Sequence, residues 1–275
     1  MFDQSPTSWL FVPADRPDRF GKALRAGADE VILDLEDAVA QDAKRAARAH
    51  VVDWLSDRHS SWVRINRSGT PWHVDDIDAV ACCDGLRGLV VPKAEEPGVI
   101  TAIAARVALL RGVDRPIVAL VETALGVLEL DALSRCPAIS RLAFGSIDFA
   151  LDIDAHETDE ALLHARSSLV VASRAAGLPS PIEGVTVDVR NPDLVIAAAR
   201  RARALGFGGK LCIHPRQVEA VNAAFAPTEA ELEWARRVLS AVQESDGSAF
   251  TLDGRMVDEP VLARAKRIIE RCRQR

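Results

Sequence analysis

Cysteine is scarce in this sequence, and its pattern predicts neither disulfides nor a zinc site. The five cysteines are odd in number and form no C-x-x-C pair, and no cluster of histidine and cysteine accompanies them. Long apolar runs are also missing, since no stretch reaches the roughly 18 residues that a membrane-spanning helix needs. We therefore predict a protein of the reducing cytoplasm with no membrane partner.

Positive charge is in deficit as well. The 275 residues carry a formal net charge of −6, whereas a surface that binds nucleic acid needs an excess of lysine and arginine. Nucleic acid is therefore not a predicted partner, and an anionic substrate would need local positive charge. Hydrophobic residues make up 48% of the chain, which is enough for one large core.

Two motifs of well-known sites are absent. No G-x-G-x-x-G follows the first predicted strand, so the usual sign of an open doubly wound sheet that binds a dinucleotide is missing, although that fold stays an alternative. No G-x-S-x-G is present either. No Ser-His-Asp or Cys-His nucleophile is therefore predicted.

Short β-branched runs alternate with amphipathic stretches from residue 8 almost to the end, a pattern typical of parallel strands joined by crossover helices. Eight such units predict an α/β fold, the (β/α)8 TIM barrel, for which this length suffices. The predicted strands are Ser8–Pro13, Glu30–Leu35, Ser61–Asn66, Leu86–Pro92, Pro116–Val121, Ile139–Gly145, Ile182–Asp188 and Gly209–His214.

The pattern changes after Phe225. A capping box of Thr228 and Glu231 starts a helix, and a polar turn and a last segment follow. We predict a barrel domain of residues 1–226 and a C-terminal helical extension of residues 227–275. The extension is expected to be too short for a core of its own, and therefore to pack on the barrel or on a neighbouring subunit.

Charged and polar residues follow the predicted strands at the same end of each. Because catalytic groups of a β/α barrel lie at the carboxyl ends of its strands, these residues are expected to share one site. The alternative is that strand ends meet water in any protein, which applies above all to a single member such as Asp188. The set includes Asp15, Arg16, Glu36, Asp37, Arg64, Asn66, Lys93, Glu122, Asp148, Asp188, His214 and Arg216.

Glu122 and Asp148 are the candidate metal ligands. Both follow apolar strands, where a carboxylate is costly to bury unless a positive charge compensates. Two carboxylates from neighbouring strands, with the other positions left to water and substrate oxygens, match Mg²⁺, with Mn²⁺ as the alternative. The competing interpretation is that each acid pairs with a nearby arginine or lysine.

Arg64 is the candidate anion-binding residue, because a guanidinium at this strand end can hold a carboxylate or an enolate oxygen by two parallel bonds. The competing interpretation makes it a structural partner of Glu36 or Asp37. Lys93 and Lys210 raise the question of Schiff-base chemistry. Lys210 begins a strand, at the end away from the predicted site, and Lys93 follows a proline at an exposed-looking turn, so neither is preferred.

His214 closes the last strand as a candidate base, although a histidine at a strand end more often makes a structural hydrogen bond.

Four sequence blocks resemble the citrate lyase beta-subunit-like (CitE-like) branch of the HpcH/HpaI aldolase superfamily. Shorter matches at residues 63–66, 92–93 and 144–149 join them, so the resemblance runs in order through nearly the whole chain. It implies a Mg²⁺-dependent carbon–carbon lyase on a β/α barrel that forms homotrimers or higher homo-oligomers. The four blocks are residues 10–20 (LFVPADRPDRF), 31–39 (VILDLEDAV), 121–126 (VETALG) and 207–217 (FGGKLCIHPRQ).

The resemblance also implies roles for single residues of the predicted site. The metal ligands of the family match Glu122 and Asp148, and its substrate-carboxylate arginine matches Arg64. The acidic pair that follows its second strand matches Glu36 and Asp37.

Further implied roles lie outside that group. Basic residues that contact CoA in some members match Arg16 and Lys22. Asp258, in the tail motif of residues 252–260, is implied to reach a neighbouring subunit's site as an acid/base group. Two departures, Ala14 where glycine is frequent and residues 152–154 (DID) where a D-x-G turn is usual, put the shape of the acyl pocket in question.

The predicted reaction is the reversible cleavage of a β-hydroxyacyl-CoA, of the malyl-, citramalyl- or citryl-CoA type, to acetyl-CoA and a 2-oxo acid. Asp258 or one of Glu36 and Asp37 is expected to move the proton at the enolate carbon. Three alternatives stay open: a beta subunit of a multi-chain citrate lyase that acts on a carrier-protein thioester, an aldolase for free hydroxy-oxo acids, and a non-catalytic barrel protein.

Overall fold

The computed structural model describes residues 6–244 and 250–273. The chain divides into two compact units. The barrel unit comprises the described residues up to Asn222, and the C-terminal unit comprises those from Ala223 onward.

The barrel unit is a closed sheet of eight parallel strands that pair in chain order, with the last strand pairing back to the first. The predicted TIM barrel is confirmed, because each apolar run forms a strand. β7 is shorter than predicted, and residues 184–188 form a loop. The strands are β1 (Ser8–Pro13), β2 (Glu30–Asp34), β3 (Ser61–Arg64), β4 (Leu86–Val91), β5 (Ile117–Val121), β6 (Ile139–Phe144), β7 (Ile182–Glu183) and β8 (Gly209–Cys212).

Helices connect the strands, and local signals set their ends. The helix Pro192–Leu205 begins after Asn191, whose side chain accepts a hydrogen bond from the backbone N–H of Asp193, and it ends at Gly206 in the left-handed conformation. The α-helices as far as Phe225 are α1 (Phe20–Leu24), α2 (Lys44–Ser56), α3 (His73–Ala81), α4 (Pro97–Arg111), α5 (Ala124–Leu128), α6 (Leu130–Ser134), α7 (Ser146–Asp152), α8 (Asp159–Ala175), α9 (Pro192–Leu205) and α10 (Pro215–Phe225).

None of the helices in the described ranges combines the length and apolar character needed to cross a membrane.

The interior of the barrel is filled by alternate residues of its strands, as the two-residue period of a strand requires. Trp9 and Trp62 meet edge to face with ring centroids 5.0 Å apart. This packing fills the barrel with apolar side chains and leaves the strand ends for polar ones. The buried members of the cluster are Trp9, Ile32, Trp62, Val90, Val118, Leu120, Ala143, Ile182 and Leu211.

The C-terminal unit has a hydrophobic cluster of its own, so the expectation that this segment is too short for a core is wrong. Two amphipathic helices, α11 (Glu229–Glu244) and α12 (Glu259–Arg273), pack with a hairpin of β9 (Phe250–Leu252) and β10 (Arg255–Val257). Together these elements bury enough apolar surface for a small core. Its buried members are Leu232, Ala235, Val238, Val257, Ala265 and Ile268.

Candidate functional site

The last residues of β2 and β3 bring a carboxylate and a guanidinium together. Asp34 and Arg64 are partners in the ladder of these parallel strands, and both side chains are buried. Arg64 Nε donates to Asp34 Oδ1 at 2.7 Å, and Nη2 donates to Oδ2 at 2.6 Å. Arg64 therefore uses this edge of its guanidinium to make two parallel hydrogen bonds to Asp34, the kind of bonds that we expected it to make to a substrate. Asp34 was not among the candidate residues predicted from the sequence. The feature that identifies it is its position opposite Arg64 in the β2–β3 pair.

The acidic pair after β2 lies near the other nitrogen of the same guanidinium. Arg64 Nη1 is 3.1 Å from Glu36 Oε2 and 3.5 Å from Asp37 Oδ2. Burial raises the pKa of Glu36 to about 8 against the opposing effect of Arg64, and the charges of Asp37 and Glu122 add to the rise. The raised pKa favours the protonated form of Glu36 more than in a free glutamate. Arg64 contacts both acids, as the competing interpretation has it, and its contact with a substrate stays a prediction.

A buried lysine shapes the loop that presents Glu36. Lys44 Nζ donates to the carbonyl oxygens of Leu35 and Glu36, each at 2.7 Å. Burial lowers the pKa of Lys44. The main chain at Leu35 and Glu36 is thus tied to α2.

Glu122 follows β5 and is almost fully buried, at 1% exposure. Burial and then the negative charge of Asp148 raise the pKa of Glu122 to about 7, while Arg64 and Lys93 oppose the rise. Gly145, after the neighbouring β6, lies so close that a Cβ there would collide with the Glu122 side chain. The space for this carboxylate therefore depends on the absence of a side chain at residue 145.

Asp148 lies in the first turn of α7, and the ammonium group of Lys93 is close to both Asp148 and Glu122. Lys93 Nζ donates to Asp148 Oδ1 at 3.0 Å and lies 4.0 Å from Glu122 Oε1. The competing interpretation, that each acid pairs with a lysine or arginine, thus describes the contacts correctly. The two candidate ligands nevertheless face one common cation.

Lys93 is more central than the sequence indicated. Its φ of 46° is left-handed, a conformation that a residue with a Cβ rarely adopts. Its backbone N–H donates to Glu122 Oε1 at 2.8 Å, so main chain and side chain both point at the acids. Although burial alone would lower it, the hydrogen bond to Asp148 and the charge of Glu122 raise the pKa of Lys93. A protonated amine is a poor nucleophile, which argues against Schiff-base chemistry here.

These donors fit a hard divalent cation. Glu122 and Asp148 offer only oxygen atoms, which Mg²⁺ prefers. Burial and the charge of Asp148 disfavour the ionised form of Glu122, and a bound cation would offset both effects. Among the described residues no group of three or more His, Cys, Asp and Glu side chains is placed to hold a metal ion. Water and substrate oxygens would therefore complete the coordination.

The raised pKa values predict how the stability of the protein in a chelator depends on pH. The pKa of Glu122, about 7 when folded, lies above the ordinary 4.5, so the folded state binds the extra proton more tightly than the unfolded state does. This contribution is full below pH 4.5 and is lost as pH rises through 7, and Glu36 acts in the same direction. We expect the melting temperature in EDTA to fall by a few degrees between pH 6 and pH 8.

The Glu122→Gln variant should show a smaller fall over this range, because glutamine does not titrate. Exposed Asp114 precedes β5 at the other end of the barrel, and Asp114→Asn is the matched control. Equal slopes for Glu122→Gln and the wild type would contradict the assignment.

Three other strand-end candidates have local structural contacts. Asp188 accepts the backbone N–H groups of Arg190 and Asn191, and these bonds lower the pKa of Asp188. His214 Nδ1 accepts the backbone N–H of Arg216 at the start of α10. Buried Lys210, near the start of β8, donates to the Gly184 carbonyl oxygen, and burial lowers the pKa of Lys210 to about 8. Each of these three residues therefore has a structural hydrogen bond that accounts for its position without a catalytic role.

The remaining candidates lie outside the cluster. Arg16 and Lys22 are exposed, and Arg16 pairs with Asp18 at 3.3 Å. Asp258 belongs to the C-terminal unit, where its Oδ1 accepts the backbone N–H of Val261 at the start of α12. The roles implied for all three stay predictions.

A cavity of about 240 Å³ opens between the loops that follow β3 and β4. Lys93 and Arg67 contribute to its lining. The Arg67 side chain makes no ion pair within the described ranges.

The family model of the HpcH/HpaI aldolase/citrate lyase family matches residues 7–215 of this chain. That range contains all eight strands of the barrel. It also contains the acids, Arg64 and Lys93 of the cluster described above.

Individual proteins extend the likeness to nearly the whole chain. A citrate lyase subunit beta-like protein of Mycobacterium tuberculosis is 36% identical over 271 residues, which cover 96% of this chain and 94% of the relative. The mitochondrial citramalyl-CoA lyase of Rattus norvegicus is 31% identical over 284 residues, covering 94% and 84%.

The crystal structure of CitE from Mycobacterium tuberculosis, in complex with magnesium, acetoacetate and coenzyme A, matches with a TM-score of 0.86 at 35% identity over 98% of each chain. The sequence blocks, the fold and the relatives agree. The chain therefore belongs to the HpcH/HpaI aldolase/citrate lyase family, a family of carbon–carbon lyases, as its sequence led us to expect.

Proposed function

We propose that this chain is a Mg²⁺-dependent lyase that reversibly cleaves a β-hydroxyacyl-CoA of the malyl-, citramalyl- or citryl-CoA type into acetyl-CoA and a 2-oxo acid. The observation that carries the proposal is the convergence of Glu122 and Asp148 on one cationic group. The relatives support it, because the CitE structure contains magnesium and coenzyme A and the rat relative is named for citramalyl-CoA.

The residues around the site have distinct parts in this proposal. Glu122 and Asp148 would hold a divalent cation, which would supply Lewis acidity toward the substrate's oxygens. Arg64 is anchored by Asp34 along one edge, and its Nη1 nitrogen is directed toward Glu36 and Asp37. Arg64 orients the oxo-acid half through that end and offsets the negative charge that develops there.

The bond changes define which proton transfers are needed. The β-hydroxyl gives its proton to an ionised carboxylate of the site as the bond between the α and β carbons breaks, and the electron pair of that bond passes to the thioester as an enolate. The hydroxyl-bearing carbon becomes the carbonyl of the 2-oxo acid, and a proton added to the enolate carbon gives acetyl-CoA. A donor must be protonated near neutral pH, and the raised pKa of Glu36 favours that form. Asp37 and Asp258 are the other candidates.

The proposal is tested by incubating the protein with malyl-, citramalyl- and citryl-CoA, in Mg²⁺ or in EDTA, and separating acetyl-CoA and the 2-oxo acid by chromatography. We expect at least one ester to be cleaved in Mg²⁺ and none in EDTA. Cleavage in EDTA would remove the metal from the reaction, and turnover of free hydroxy acids without CoA would indicate an aldolase. Failure with all three esters, with no heat of binding for Mg²⁺ plus oxo acid, would favour a non-catalytic protein.

Arg16 and Lys22 are the proposed contacts of the CoA phosphates. Both are exposed, and a charged hydrogen bond contributes about 1.5–3 kcal/mol. Because such a contact binds ground and transition states equally, Arg16→Ala or Lys22→Ala is expected to raise KM for the ester by about tenfold with kcat unchanged. Arg135→Ala, which removes an exposed arginine paired with Asp131, is the matched control. An unchanged KM in both variants would exclude these contacts.

Asp258 is the proposed proton carrier from the tail, within a homotrimer or higher homo-oligomer. Asn retains an oxygen that accepts the Val261 N–H, so Asp258→Asn removes the acid and preserves the helix cap. If Asp258 moves the proton, Asp258→Asn lowers kcat by about 10²–10⁴-fold at unchanged melting temperature. If Asp258 is purely structural, Asp258→Asn should keep the wild-type kcat and melting temperature, and only Asp258→Ala should lower the melting temperature. Light scattering coupled to size-exclusion chromatography measures the oligomeric state.

A further inference from the structure

Lys93 places its ammonium between the two acids that the proposed function assigns to a metal. We propose that Lys93 is a built-in counter-ion of Glu122 and Asp148 in the absence of metal, and that Mg²⁺ binds by displacing its ammonium group. The inference rests on the proposed function, since it takes these two acids as the metal ligands.

The contacts make the ammonium and a metal ion competitors. Lys93 Nζ lies 3.0 Å from Asp148 Oδ1 and 4.0 Å from Glu122 Oε1, so one positive charge faces two carboxylates. A second cation between the same carboxylates would be repelled by the first, because like charges a few ångströms apart in a partly buried site interact strongly. The metal therefore takes the acids only when the ammonium leaves.

The backbone of Lys93 allows the ammonium to leave without releasing Glu122. The hydrogen bond from the Lys93 N–H to Glu122 Oε1 belongs to the main chain, in the left-handed conformation, and does not depend on where the side chain lies. The side chain is 26% exposed and lines the cavity of about 240 Å³. A displaced ammonium thus has space beside the site, and Glu122 stays oriented.

Competition predicts effects that a merely structural lysine would not produce. Without the ammonium, Glu122 and Asp148 repel each other and the metal-free protein loses stability. The metal no longer has to displace a cation, so it binds more tightly and restores the stability. If Lys93 only supported the fold, its replacement would lower the stability of the protein equally with and without metal.

The test uses neutral variants, a charge-retaining variant and a matched control. Lys93→Met and Lys93→Gln remove the charge, and Lys93→Arg keeps it. Arg67→Met removes a positive charge from the lining of the same cavity, where Arg67 pairs with no acid in the described part of the chain. Calorimetry with Mg²⁺ alone gives the dissociation constant, and thermal unfolding in EDTA and in saturating Mg²⁺ gives the melting temperatures.

We expect Lys93→Met and Lys93→Gln to bind Mg²⁺ at least tenfold more tightly than the wild type, and to melt lower in EDTA but not in saturating Mg²⁺. Lys93→Arg and Arg67→Met should stay within about threefold of the wild-type dissociation constant. Neutral variants that bind Mg²⁺ no more tightly than the wild type would overturn the inference and leave the proposed function standing. A wild-type protein that binds no Mg²⁺ would overturn both.

Discussion

Replacement of Glu122 by glutamine is expected to lower Mg²⁺-dependent cleavage by about 10³-fold, since loss of a Lewis-acid contribution of several kcal/mol corresponds to such a factor. Asp148→Asn is expected to act similarly, because both carboxylates face the same cation. The barrel should stay folded. Burial and the charge of Asp148 already disfavour the ionised form of Glu122, and glutamine has the shape of its neutral form.

The measurement is the rate of acetyl-CoA release at saturating ester and Mg²⁺, beside melting temperatures in EDTA. Asp114→Asn, which removes an exposed carboxylate from the opposite end of the barrel, should retain full activity. Excess Mn²⁺ should not restore Glu122→Gln, because the amide cannot supply the missing charge. A Glu122→Gln variant with wild-type turnover in the same assay would contradict the metal site.

Replacement of Arg64 by methionine is expected to have the second large effect, on activity and stability together. Loss of a donor that stabilises developing negative charge lowers kcat by about 10²–10³-fold. Removal of one partner of a buried ion pair costs about 3–5 kcal/mol, because Asp34 is left without its two parallel bonds. Arg64→Lys should be more active than Arg64→Met, since it keeps the positive charge. It should recover little of the lost stability, because lysine cannot make the two parallel bonds to Asp34.

A double-mutant cycle separates the two effects. Asp34→Asn weakens the same pair from the other side but leaves the arginine charge in place, so it should lower stability more than turnover. The free energies of unfolding of Asp34→Asn, Arg64→Met and the double variant should be non-additive, because the residues are in direct contact. Additive free energies would mean that the pair contributes little. Equal turnover of Arg64→Met and the wild type would remove Arg64 from the reaction.

The sequence predicted the barrel because apolar, β-branched runs between helical segments leave few other ways to bury their faces. The convergence of Arg64, Glu36, Glu122 and Asp148 follows from the same rule, since each lies at the carboxyl end of a strand or within four residues of it. Their assigned roles are predictions that the variants above address. The sequence thus indicated where acids and bases meet and that Arg64 could pair with Glu36 or Asp37. It did not indicate the pair of Arg64 with Asp34.

The contacts that the sequence did not reveal depend on register and backbone angles. Asp34 meets Arg64 because β2 and β3 pair with these residues opposite each other, a register that local pattern does not specify. Lys93 reaches Asp148 from a left-handed conformation, which a lysine rarely adopts and which no motif predicts. The C-terminal core was missed because the two helices and the hairpin share apolar faces that length alone does not reveal.

The close approach of Gly145 to Glu122 has a consequence for where the precision of this site resides. β5 and β6 run side by side, with Val121 opposite Phe144, so the residues that follow them are held apart by the main-chain spacing of a sheet, about 4.8 Å. Even one methyl group on residue 145 would push the carboxylate out of position. Tolerance to substitution at this edge is therefore limited by a residue that has no functional group, and even an apolar change there would displace an acid of the site without removing it.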